Sequence, residues 1–332
     1  MCIPSFSKFT RGSAALVLAA SLAGGISFSA SASPDIDSIH FLIPGGAGGG
    51  WDGTARGTGE ALTKSGLIKK ASYQNMSGGG GGKAIAHLIE TAKQQRGTLM
   101  VNSTPIVVRS LTKVFPQSFR DLTPIAATIA DYGAFVVRSD SKYQNWRQVV
   151  ADFRKDTRSV KVAGGSSRGS LDHLVPAAAI KAEGLDPKKL RYVPYDAGGK
   201  AMAGLLSGET QLLSTGLGEA LEMSKAGQVR ILAVTAPERV KEAPDVPTLK
   251  EMGNSTVFAN WRGFFGAPGL PQDQVDAYAS VIKKMYSTPE WEKVRARNGW
   301  VNVYKPSSEF YTFLEDQERV VGGLMRELGF LK

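Results

Sequence analysis

His40-Phe41-Leu42-Ile43-Pro44-Gly45-Gly46-Ala47-Gly48-Gly49-Gly50-Trp51-Asp52 runs from an apolar strand pattern through a glycine loop into the amphipathic pattern of Gly53 to Lys64. A second passage repeats the plan. Ala71-Ser72-Tyr73-Gln74 leads through Asn75-Met76-Ser77 and Gly78 to Gly82 into the helical pattern of Lys83 to Gln95. Glycine lets backbone approach a ligand closely. A helix start offers unpaired N–H groups with partial positive charge. Two such loops at neighbouring strand ends predict an anion pocket built from backbone.

Outward from these loops, strand and helix patterns alternate. Strand-like runs fall at 99–102, 124–130, 134–137, 160–163, 192–194, 211–214 and 231–234. Helix-like runs fall at 146–156, 171–183, 201–207 and 217–225. The alternation predicts parallel sheets with crossover helices. From about Gln272 the pattern turns purely helical, at 271–287, 289–298 and 306–329. Two extended runs, Gly133 to Asp140 and Asn260 to Pro268, look like crossings between two lobes that hinge about a central cleft.

The N-terminus reads as an export signal. Lys8 and Arg11 form a basic region, 12–28 is small and apolar, and Ala30-Ser31-Ala32 is a peptidase-type site. Cleavage near Ala32 would remove Cys2, the one cysteine, and with it any disulfide or thiolate metal site. The formal charge of the full chain is +10. Its basic residues are dispersed in short clusters such as Lys69-Lys70 and Lys283-Lys284, which predicts a solvated surface and no nucleic acid partner.

Three motifs invite an enzymatic reading. Gly48-x-Gly50-x-x-Gly53 matches a dinucleotide fingerprint, but Gln74-Asn75-Met76 stands where the ribose-binding acid belongs. Gly82-Lys83 misses the phosphate-loop pattern, with Ser77 and Ala84 at two required positions. Gly165-x-Ser167-x-Gly169 matches a nucleophile elbow, yet no histidine follows His173, so no triad can be completed in order. His40, His87 and His173 are too scattered to form a metal site, and neither metal nor cofactor is expected. Trp51 is read as a wall or lid of the site, and Asp52 as the N-cap of the helix after it.

The chain resembles the periplasmic solute-binding proteins of tripartite tricarboxylate transporters, the TctC or Bug family. The resemblance is carried by the 44–52 loop with Thr54-Ala55-Arg56, the glycine run at 78–82 and Asp121-Leu122-Thr123-Pro124-Ile125. It continues through Val193-Pro194-Tyr195 before Gly198-Gly199, Leu205 to Glu209, Val229 to Thr235 and Asp245-Val246-Pro247-Thr248. Arg168, Asp172 and Gln211 depart from the family pattern.

The resemblance implies an α/β, two-lobed periplasmic-binding-protein type II (Venus flytrap) fold with two hinge crossovers. Residues 1–32 would be the signal peptide, 33–137 with 264–332 lobe one, and 138–263 lobe two. It implies a monomeric, non-enzymatic periplasmic protein that captures a small carboxylate, above all a tricarboxylate such as citrate. The protein would deliver it to a large and a small membrane subunit. The expected ligand donors on lobe one are Gly48, Gly49, Gly50, Trp51, Ser77, Ser103 and Thr104. On lobe two they are Ser166, Ser167, Arg168, Tyr195, Gly198, Gly199 and Thr215. The alternatives are an exported hydrolase using Ser167 and a ligand-sensing partner of a receptor kinase.

Overall fold

A computed structural model describes residues 35–113 and 115–332, so the signal-peptide reading of 1–32 lies outside the described residues. The chain is an α/β protein, and the ten strands among the described residues form one mixed sheet. Strands β1 (Ser38–Ile43), β2 (Lys70–Asn75) and β3 (Thr98–Ser103) are parallel, with β1 between the other two. β3 continues antiparallel onto β9 (Ala259–Gly266), which pairs antiparallel with β4 (Thr123–Arg138).

β4 ties the sheet together. It is one strand of 16 residues where the sequence suggested two. Through Tyr132 it pairs with β9, and with β10 (Val301–Pro306) over Ala126 to Ala130. From Gly133 onward it pairs with β7 (Leu212–Gly216) and β8 (Val229–Val234). Parallel pairing resumes from β7 to β5 (Lys161–Gly164) and β6 (Arg191–Pro194). The sheet is therefore mixed, not parallel throughout.

Ten α-helices are described: α1 (Gly50–Lys64), α2 (Gly82–Glu90), α3 (Thr104–Thr112), α4 (Trp146–Lys155), α5 (Leu171–Ala182), α6 (Gly198–Leu206), α7 (Leu217–Lys225), α8 (Gln272–Met285), α9 (Pro289–Asn298) and α10 (Ser307–Glu327). They cover both faces of the sheet, so β3 is buried at every position and reads as an unbroken buried strand. Ile39, Phe41 and Ile43 pack with Leu99, Val101 and Phe264 against Tyr278, Ile282, Trp291 and Trp300. Ala134, Val136 and Leu213 pack with Leu217 and Leu221 in the other half. Each such large apolar side chain contributes roughly 1.5–3 kcal/mol by leaving water. No helix among the described residues is long and apolar enough to cross a membrane.

Three sequence expectations give way here. The C-terminal region is not purely helical, because Val301 to Pro306 adds β10 to the sheet. α3 fills a stretch to which the sequence pattern assigned no element; Pro105 sits in its first turn, where its missing N–H costs nothing. α1 and α6 each begin three residues earlier than the periodicity suggested, inside their glycine runs.

Candidate functional site

The C-terminal ends of β1, β3, β5, β6 and β7 each lead directly, or through a short loop, into α1, α3, α5, α6 and α7. Their starts converge on a cleft of about 530 Å³, its open mouth included. Crevices beyond the carboxyl ends of strands are where open α/β sheets bind ligands. The β1 to β3 side supplies Gly45, Gly46, Gly49, Gly50, Trp51, Ser103 and Pro105. The opposite wall is Gly165, Ser166, Leu171, Asp172, Asp196, Ala197, Gly198 and Glu219. Asn260 and Arg262 of β9 complete the lining.

The two walls meet through backbone. A Cβ on Gly49 would stand 3.4 Å from the Gly198 nitrogen, and one on Gly199 would stand 3.1 Å from the Ala47 carbonyl oxygen. A Cβ on Gly198 would overlap the Glu219 carboxylate. The N-caps of α1 and α6, Gly49 and Ala197, place no side chain on the first turn. The first-turn N–H groups of both helices are thereby left for a ligand to engage. The Trp51 indole N–H donates to Ser103 Oγ at 2.9 Å, which fixes the ring as a wall of the cleft. Among the described residues, one side-chain hydrogen bond joins the walls at the mouth: Ser77 Oγ donates to Asp196 Oδ2 at 2.6 Å.

Charge in the cleft is unevenly matched. Arg262 and Asp131 form an ion pair at 3.2 Å with side chains 3% and 0% exposed. Asp131 also accepts from Gly218 N–H at 3.3 Å. Burial pushes its carboxyl up to about 6 while Arg262 pulls it down. Glu219 Oε2 accepts from Thr215 Oγ1 at 2.8 Å and from Gly216 N–H at 3.2 Å, capping α7. Asp172, in the first turn of α5, is pushed up to about 7, by burial first and then by the charge of Glu219.

Six of the residues expected from the sequence line the cleft together: Gly49, Gly50, Trp51, Ser103, Ser166 and Gly198. Gly48 and Gly199 line an adjoining hollow with Asp131, Glu219 and Trp300. Ser77 is engaged by Asp196, Thr104 Oγ1 donates to Asn260 at 3.4 Å, and Thr215 supports Glu219. Tyr195 points elsewhere, its hydroxyl on Glu209 at 2.7 Å and its ring against Gly204. Arg168 lines a separate concavity with His173, Lys188 and Phe330. The second glycine loop does not line the cleft either. Its Gly80 folds over the guanidinium of Arg109, which is only 5% exposed. Asp52 lies inside α1 and reaches back to the Gly48 N–H at 3.1 Å, so it is not the residue before the helix.

Sequence reasoning missed Asp131, Asp196, Glu219, Asn260 and Arg262 as site residues. The signal was present. An Arg and an Asp inside apolar strands are rarely buried unless paired, and Glu219 stands three residues after the Gly216 cap of α7. Ser167 is exposed and has no hydrogen bond to a histidine among the described residues. His173 Nδ1 instead accepts from Gly169 N–H at 3.0 Å. Burial, then Arg168, lowers its pKa to about 4. The hydrolase arrangement is thus not assembled around Ser167.

The family model described as "Tripartite tricarboxylate transporter family receptor" matches residues 56–330. A protein encoded in the tcbD–tcbE intergenic region of Pseudomonas sp. (strain P51) is 26% identical over 256 residues, 76% of this chain and 74% of its own length. Among solved structures, the periplasmic binding protein BugD superposes with a TM-score of 0.79 at 20% identity, over 88% of this chain and 97% of its own. An R. palustris protein with adipate gives 0.80 at 18% identity, over 88% and 97%. MatC from Rhodopseudomonas palustris with bound malate gives 0.76 at 19%, over 86% and 98%.

Proposed function

The chain belongs to the tripartite tricarboxylate transporter receptor family, and from that premise we propose that it captures a small carboxylate in the periplasm. It would present that solute to the large and small membrane subunits of such a transporter. The observation that carries this reading is the pair of uncapped helix starts, α1 and α6, facing each other across glycine backbone. Both offer N–H groups and dipole ends to an anion; Asp52, in the first turn of α1, is turned back onto the Gly48 N–H and Arg56. A hydrogen bond to a charged group contributes roughly 1.5–3 kcal/mol. Several of them, less the cost of association, suffice for the about 8 kcal/mol of a micromolar complex.

Residues 33–137 with 264–332, and 138–263, act as the two lobes. The change of partners within β4, between Tyr132 and Gly133, supports a pivot there. Closing the lobes expels water and strengthens each contact inside. Export by cleavage after Ala32 and a monomeric state belong to the same reading. The ligand is a small carboxylate of the class of malate or adipate, found in neighbouring structures, or a tricarboxylate such as citrate.

Calorimetry of the purified protein against malate, adipate, citrate and other di- and tricarboxylates tests the reading. At least one is expected to bind with micromolar affinity. Folded protein that binds none, or stoichiometric labelling of Ser167 by a fluorophosphonate, would overturn it.

A further inference from the structure

The stretch from Gly165 to His173 walls two hollows at once. Ser166, Leu171 and Asp172 line the cleft, while Arg168, Gly169 and His173 line the separate concavity. Two hydrogen bonds hold this stretch: Gly169 N–H donates to His173 Nδ1 at 3.0 Å, and the Tyr192 hydroxyl donates to the Ser166 carbonyl at 2.6 Å. The concavity measures about 810 Å³, its open mouth included, which is within the range of small-molecule sites. Part of its lining is apolar. Leu190 and Met325 are buried, and Phe330 stands edge-on to His173 with ring centres 4.8 Å apart. His173 stacks on Tyr192 at 4.6 Å, and its lowered pKa leaves it a neutral ring.

Two exposed cations, Arg168 and Lys188, share that lining, and no acid among the described residues does. Acids nearby in the chain are committed elsewhere. Asp186 Oδ1 accepts from Lys188 N–H at 3.0 Å, Glu327 pairs with Lys181, and Asp172 faces the cleft. Met325 and Phe330 come from the end of α10 and the residues just after it, in the proposed lobe of 33–137 with 264–332; Arg168, His173, Lys188 and Leu190 come from the other. Lys188 lies across Gly329, where a Cβ would stand 2.4 Å from its Cε. The concavity therefore spans both proposed lobes, and its width changes when they move.

We propose that this concavity is a second binding site, for a single anionic head on an apolar body, as in a medium-chain fatty acid, and that filling it alters affinity in the cleft. Arg168 takes the head with its planar fork and Lys188 adds a point charge. The body lies on Leu190, Met325 and Phe330 and leaves water there. Such an occupant fits one width of the concavity better than another. That difference in affinity between two arrangements of the lobes is what couples the sites.

Calorimetry of the purified protein with butyrate, hexanoate, octanoate and octanol at pH 7.5 tests it. Octanoate is expected to bind about tenfold tighter than octanol, and affinity to rise with chain length. Arg168→Ala and Lys188→Ala, both at exposed positions, should each weaken octanoate about fivefold. Phe330→Ala should weaken octanoate and spare butyrate, and Gly49→Val should leave octanoate unchanged. Octanol binding as tightly as octanoate, or no effect of either cation, would overturn the site. A loss in Gly49→Val with none in Arg168→Ala would put octanoate in the cleft and overturn it too, while solute capture stands. A carboxylate that binds the cleft should change the octanoate Kd by about threefold or more, and octanoate should change that carboxylate's Kd by the same factor. Equal values with and without it would overturn the coupling. If no carboxylate binds the cleft, solute capture fails, and the octanoate series still decides the second site.

Discussion

Ser77 and Asp196 make the one side-chain hydrogen bond described between the walls at the mouth of the cleft, at 2.6 Å. Opening the cleft breaks it, so removing it penalises the closed form alone. A hydrogen bond to an ionised acceptor is worth roughly 1.5–3 kcal/mol. Asp196 stays half in water, with 49% of its side chain exposed, so about 1 kcal/mol survives screening. That corresponds to about a fivefold rise in Kd for Ser77→Ala. The rise should be the same for every ligand, because Ser77 holds the wall and not the solute. Asp196 also faces the cleft, so a double-mutant cycle with Asp196→Ala is needed to isolate the pair. Calorimetry on the two single variants and the double should give a coupling of about 1 kcal/mol. Additive losses, or a loss at Ser77 that differs between ligands, would refute a latch and return Ser77 to the list of ligand donors.

Gly49→Val places branched methyl groups toward Gly198 and should raise Kd at least about tenfold with little change in melting temperature; an unchanged Kd would remove this loop from the site. Asp172 holds its proton to about pH 7 in the folded chain, against 3.8 unfolded. Its burial therefore costs stability progressively as pH rises from about 4 to about 7. Asp172→Asn should recover about 1–4 kcal/mol at pH 8 and almost nothing at pH 4, read from urea melts at both values. Asp131→Asn leaves the Arg262 charge buried without its partner and should destabilise by about 3–5 kcal/mol in the same melts. Arg168→Ala, lying in the separate concavity, should leave ligand Kd within about twofold.

The alternation of strands and helices was legible because hydrophobic periodicity reports burial, and burial built these elements. The glycine run before Trp51 was legible as a loop of close backbone approach, and the structure sets Gly49 against Gly198 across the cleft. What escaped were features set by tertiary partners. α3 starts at Thr104 because Ser103 ends a buried strand and Pro105 tolerates a first turn, a junction without a capping signal. β10 is short and half-exposed, and only its pairing with β4 makes it a strand. Gly48 and Gly78 to Gly82 looked equivalent in sequence. The second run is committed instead to covering Arg109, a residue 27 or more positions further along the chain. Arg262 and Asp131 lay inside the two stretches read as crossings, or beside them, but their pairing across neighbouring strands is a matter of register that no local pattern states.

The central claim is that the N–H groups opening α1 and α6 hold the ligand's carboxylate. Backbone amide chemical shifts, recorded with and without a saturating carboxylate that binds by calorimetry, test it most directly. The largest shifts are expected at Gly50, Trp51, Gly198 and Gly199, moved downfield as each N–H takes up an anionic acceptor. Unmoved signals at these four, with the largest shifts instead around Arg168, His173 and Lys188, would contradict the account and place the ligand in the other concavity.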